Sequence, residues 1–145
     1  MTTPAQKVNT LIQDIVSDRK IYIELIALLE QQRTLIVAHN AADLSTLNEK
    51  LVAHYQRLTE SAQKRHQILQ SLGVPGGRKG IADLFARLPE QHQSKVNALW
   101  LDLEQQAKRC KDINERNGIM LHMQQDILNN LLNADQPEAY LYQAG

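Results

Sequence analysis

The side chains able to do chemistry are few and scattered. The 145-residue chain has five histidines, His39, His54, His66, His92 and His122, and one cysteine, Cys110. A carboxylate-bridged metal pair in a helical bundle needs Glu three residues before His on one helix face. The positions three residues ahead of the histidines hold Ile36, Leu51, Gln63, Pro89 and Ile119, so that ligand set is missing. No His-Glu-x-x-His pair is present either, which removes the zinc-protease arrangement. A lone cysteine excludes an intrachain disulfide framework and a multi-cysteine zinc site. Cys110 falls on an apolar stripe between Leu103 and Ile113 and reads as a small buried hydrophobe. Its sequence neighbours Lys108 and Arg109 would lower its pKa if they also lay close in space.

Gly76-Gly77-Arg78-Lys79-Gly80 has the glycines and cations of a phosphate cradle. A phosphate loop, however, places Gly-Lys-Ser/Thr between a strand and a helix. Here Gly80 follows Lys79 and the preceding pattern is helical, so the segment reads as a flexible interhelical connection. Residues 57–79 carry Arg57, Lys64, Arg65, Arg78 and Lys79 against Glu60, a local charge of +4. With Tyr55 as the one aromatic nearby and no nucleic-acid module, the cluster reads as a solvated helix end. Over the whole chain 16 basic residues balance 16 acidic ones, which removes a bulk electrostatic drive toward nucleic acid or anionic membrane. No apolar run approaches the ~20 residues needed to span a bilayer, and no charged N-terminal segment leads into an apolar one. The expectation is a reduced cytoplasmic protein with no enzyme activity, metal or cofactor, no nucleic-acid partner and no stable membrane insertion.

The elements that position these residues are helical. Thr3 is a candidate N-cap with Pro4 at the first helical position. Val8, Ile15, Tyr22, Leu29 and Ile36 then recur in a strict seven-residue step, predicting a helix over about 4–38 packed along its length. Asn40 or Asp43 caps a second helix, about 43–72, with Leu44, Leu51, Leu58 and Leu72 in one heptad column that Arg65 interrupts. Gly73 is the expected stop. A short helix over 81–88 and a long one over 90–132 follow, with a tail at 133–145. The pattern predicts a single all-α domain: an elongated antiparallel bundle, a coiled-coil-like hairpin of three long helices plus one short helix. Its seams are narrow, and a thin core gains from a homodimer contact or a partner.

The C-terminal third departs from the rest. Residues 117–145 contain no Lys or Arg but three acidic residues. Met120 and Met123 lie close together, and methionine suits surfaces that accept varied partners. Ile119, Met120, Leu121, Met123, Ile127, Leu128, Leu131 and Leu132 form a stripe wider than a two-helix seam requires. Either the other helices cover it, or part stays exposed as a partner groove. Asn117-Gly118 sits inside this helix, where Gly costs roughly 1 kcal/mol relative to Ala and Asn on a core stripe needs a partner. The pair marks a bend, a close backbone approach, or a polar pin of register.

Three passages resemble the flagellar export chaperone FlgN family. Glu49-Lys50 followed fifteen residues on by Lys64-Arg65 resembles the family's basic frame in helix two. Ile113-Asn114-Glu115-Arg116-Asn117-Gly118, then Ile119-Met120-Leu121, is similar to its Leu-Asn-x-x-Asn-Gly-x-Leu-Leu signature. Ala139-Tyr140-Leu141-Tyr142-Gln143-Ala144-Gly145 resembles its tyrosine-bearing tail. The resemblance implies a cytosolic chaperone that holds the C-terminal helical segments of the hook-filament junction proteins FlgK and FlgL and passes them to the type III export gate. A client groove is then expected on Met120, Leu121, Met123, Ile127, Leu128, Leu131 and Leu132, in the helix-in-groove mode. The resemblance implies contact with the export-gate protein FlhA at Tyr142, or at Tyr140. The rival expectation is a self-associating structural helical adaptor without an export role.

Overall fold

The computed structural model describes residues 2–134, without the side chains of Leu128 and residues 131–134. Helix α1 (Pro4–Val37) starts where the residue types require it. Thr3 Oγ1 accepts from Gln6 N at 3.2 Å and Gln6 Oε1 accepts from Thr3 N at 2.9 Å, a reciprocal capping box with Pro at the first helical position. Helix α2 (Ala41–Ser71) begins two residues before the position expected, because Asn40 is the cap: its Oδ1 accepts from Asp43 N at 3.1 Å. It stops at Gly73, where φ is +77°. There Gly73 N donates to Gln70 O and Val74 N to Leu69 O, the paired bonds of a glycine C-terminal cap.

The loop leading to α3 (Arg78–Ala86) is packed, which corrects the expectation of a flexible connection. Val74 is buried. A Cβ at Gly76 would lie 1.8 Å from His66 Cε1, and one at Gly80 would lie 1.6 Å from the Pro75 carbonyl oxygen. These glycines let the loop lie against α2 and the first turn of α3. Gly77, at φ +87°, caps α3 and starts it three residues before the predicted position. Helix α4 (Glu90–Ala134) follows Pro89 and runs without interruption through Asn117-Gly118.

Cross-helix hydrogen bonds fix direction and register. Gln32 Nε2 donates to Asn48 Oδ1 at 3.0 Å and Ser61 Oγ to Asp18 Oδ2 at 2.7 Å, so α1 and α2 are antiparallel. Between α1 and α4 the Cys110 thiol donates to Tyr22 O, Asn117 Nδ2 to Leu29 O and Gln124 Nε2 to Ile36 O, each pair separated by 88 residues. That constant offset makes α1 and α4 parallel. It brings the column Val8, Ile15, Tyr22, Leu29, Ile36 level with Val96, Leu103, Cys110, Asn117, Gln124. The chain therefore runs up, down and up. It is the all-α bundle expected, in which the first and last long helices, α1 and α4, are parallel neighbours.

Helix α1 packs against both α2 and α4, whose own backbones do not meet among the described residues. Helix α3 closes one end, where Leu69, Val74, Ile81, Phe85, Val96 and Leu103 share a core with Leu11 and Ile15. A second core joins Leu25, Leu29, Leu51, Leu58 and Cys110 further along. Between them lies a polar layer. Asp18 is buried and accepts from Arg65 Nη1 at 2.8 Å, and the Arg65 guanidinium stacks 5.4 Å from the Trp100 ring centre. Arg65, which breaks the α2 heptad column, thus ties three helices together.

Candidate functional site

Asn117 is the polar pin of register. It is 1% exposed, and its Nδ2 donates to Leu29 O at 2.8 Å and to Gln32 Oε1 at 2.9 Å. Gln32 in turn donates to Asn48, so one amide chain links α4, α1 and α2. A seam that would otherwise slide by a heptad has one position at which these amides meet. Nothing lies within 4 Å of a Cβ placed at Gly118, so no neighbouring backbone approaches there.

Beyond Asn117 the α4 stripe divides. Met120 and Leu121 are half-buried. Ile119, Met123 and Ile127, spaced four residues apart on one face, are 61%, 57% and 55% exposed. Val37, the last residue of α1, is 60% exposed and comes level with the same part of α4. The register explains this exposure. Ile36 pairs with Gln124, so α1 ends while α4 continues to Ala134, roughly 14 Å further. Leu128, Leu131 and Leu132 are on this extension, with side chains outside the described residues. Tyr140 and Tyr142 lie outside them altogether. Val37 escaped the sequence reading because its heptad column, with Val16, Ile23 and Glu30, is broken by charge.

A cavity of about 440 Å³ opens on the same side of the α1–α4 seam, next to Met120. Glu30 and Arg33 from α1 and Arg109, Asp112 and Arg116 from α4 line it. Spacing of α4 alone could not reveal it, since Arg33 arrives from the far end of the sequence through the parallel register.

The other candidates are absorbed by structure. Among the five cations of residues 57–79, Lys64 pairs with Asp14 at 3.5 Å, Arg65 with Asp18 at 2.8 Å and Arg78 with Glu104 at 3.0 Å. His54 bridges Glu24 and the Lys50 carbonyl. Among the described residues no three of His, Cys, Asp and Glu are grouped to hold a metal ion. No described helix is long and apolar enough to cross a membrane.

Burial pushes the Cys110 thiol up to about 11, and nearby Arg109 only partly opposes it. An unfolded thiol titrates near ~8.5, so the fold prefers the protonated form. That preference is full below about pH 8.5 and is lost as pH rises toward 11. Native protein at pH 8 is expected to resist iodoacetamide and to react readily in denaturant. Denaturant titrations from pH 8.5 to 11 are expected to show falling stability, with a shallower fall in Cys110→Ala. Rapid native alkylation or an unchanged slope would refute the assignment.

Comparison with known proteins bears on this geometry. The family profile described as FlgN protein matches residues 1–143. A solved structure from Pseudomonas aeruginosa, assigned as a flagella synthesis protein FlgN, is similar in fold. Its TM-score is 0.70 at 22% identity, over 77% of this chain and 85% of that one. No curated protein matches in sequence.

Proposed function

From the premise that the chain belongs to the FlgN protein family, we propose that it is a flagellar type III export chaperone working in the cytoplasm. It holds the C-terminal helical segments of the hook-filament junction proteins FlgK and FlgL, keeps them from assembling early, and delivers them to the gate protein FlhA. The observation that carries this reading is the Ile119–Met123–Ile127 stripe, apolar and exposed on a helix that outruns its neighbour. An amphipathic client helix needs such a face, and methionine lets one face accept two clients. The groove consists of Met120, Met123 and Ile127 with Val37, continued by Leu128, Leu131 and Leu132. Leu121 supports it from the half-buried side. The tail then carries the gate contact, with Tyr142 as the anchor and Tyr140 as the second candidate.

The test is co-purification of the full chain with C-terminal segments of junction proteins and, separately, with the cytoplasmic part of FlhA. Capture of both is expected. Tyr142→Ala should keep client capture and weaken gate docking about tenfold or more, as loss of an aromatic anchor does. Equal docking by Tyr142→Ala moves the role to Tyr140 if Tyr140→Ala weakens it, and removes the tail role if neither does. A chain that captures no junction segment but forms a tight oligomer by light scattering supports the structural adaptor instead.

A further inference from the structure

The cavity beside Met120 carries charge that the fold leaves uncommitted. Its walls hold Glu30, Arg33, Arg109, Asp112, Arg116 and Asn117. Glu30 faces Arg109 at 3.8 Å. Among the described residues no ion pair involves Arg33 or Arg116. Elsewhere in this neutral chain arginines near the seams are paired, Arg65 with Asp18 and Arg19 with Asp102. Among the described residues the lining holds three guanidiniums against two carboxylates, a local excess of one positive charge. One further group is unsatisfied there: Asn117 Oδ1 is buried without a hydrogen-bond partner.

The cavity and the apolar stripe are continuous. On α4 the residues Arg109, Arg116, Met120, Met123 and Ile127 follow at three-, four- and seven-residue steps, which keep to one side of a helix. A helix laid along that side meets apolar surface first and guanidinium next. Arg33 is supplied by α1, so the basic end of the track has two walls, whereas at the apolar end α1 contributes only its last residue, Val37.

Resting on the client-capture reading above, we propose that Arg33 and Arg116 bind a carboxylate carried by the client helix, and so fix its register and direction. The acidic residue lies roughly 10 Å, two turns, from the client residues that cover Met123. Arginine suits this role because its planar fork donates two parallel N–H bonds to a carboxylate. The apolar stripe alone would tolerate sliding and reversal, since it is a run of similar surfaces. A charge at one end admits one orientation.

The experiment titrates the full chain into a fluorescently labelled C-terminal segment of a junction protein. Arg33→Glu with Arg116→Glu is expected to weaken binding about 10- to 100-fold and to remove most of its salt dependence. Changing each Asp and Glu of the segment to Lys in turn should yield one client that binds this variant better than wild type. The clamp is overturned if the double variant binds within about twofold of wild type, or if it binds weakly and no charge-reversed client restores it. In both cases Met123→Asp with Ile127→Asp tests the apolar groove separately from the clamp. Loss of binding there leaves the groove standing without the clamp. Wild-type chain that does not bind, or a stripe variant that binds normally, removes the client reading and the clamp together.

Discussion

Met123→Asp combined with Ile127→Asp is expected to weaken capture of junction-protein helices by about a hundredfold or more while leaving helicity and melting temperature nearly unchanged. Both side chains are more than half exposed in the free chain, so each still has apolar area to bury against a client. Covering a whole side chain of this size contributes about 1.5–3 kcal/mol, and roughly half of that is available at each site. The carboxylates add a second penalty, because each would be buried in an apolar interface without a partner. Together these exceed the ~2.7 kcal/mol that a hundredfold change requires. The free chain is affected much less. An exposed substitution away from special features shifts stability by about 0.5 kcal/mol or less, to which Asp adds a few tenths through its poorer helix propensity. Val52→Asp is the matched control: Val52 is 54% exposed but on α2. Capture should survive it. Undiminished capture by the double variant would remove the groove from this end of α4.

Local signals were legible wherever one segment's own residues decide the outcome. Thr3 and Pro4 start α1 by type and position, and Gly73 ends α2 because only a residue at ease with positive φ makes that turn. The heptad of α1 was likewise readable, since five apolar residues at seven-residue steps admit few other structures. What escaped depended on pairing. That Val8 to Ile36 would meet Val96 to Gln124 in parallel is visible only once the 88-residue offset is known. The buried Asp18 and Gln32 were missed for the same reason: each occupies a core column of α1 and is tolerable only because Arg65, Asn48 and Asn117 arrive from other helices. At the candidate site the methionines were found from composition, whereas Val37 and Arg33 were not. Both reach the site through the register of α1 on α4, which no segment of the sequence states alone.

Asp18→Ala is expected to lower unfolding free energy by about 3–5 kcal/mol, the range for breaking a buried ion pair from one side. Its Oδ2 accepts from Arg65 Nη1 at 2.8 Å and Ser61 Oγ at 2.7 Å, and its side chain is 4% exposed. Truncation leaves the Arg65 guanidinium, itself 15% exposed, with only the Trp100 face for compensation. That face contributes about 2 kcal/mol at most, less than the loss of a charged partner. Replacing both members by apolar residues, Asp18→Leu with Arg65→Met, removes the desolvation cost along with the attraction, so the double variant should return to near wild-type stability. Urea unfolding of wild type, Asp18→Leu, Arg65→Met and the double variant gives the coupling energy directly. The double variant should nevertheless be less well specified. Asp18 and Gln32 lie two heptads apart in one column of α1, among apolar residues that look alike to a sliding neighbour. With the first erased, only the Gln32–Asn48–Asn117 chain distinguishes one layer from the next. Broadened amide resonances or a lower unfolding cooperativity in the double variant would show that the pair serves register. A loss below about 1 kcal/mol in Asp18→Ala would show instead that water screens the pair and that the two cores hold the alignment unaided.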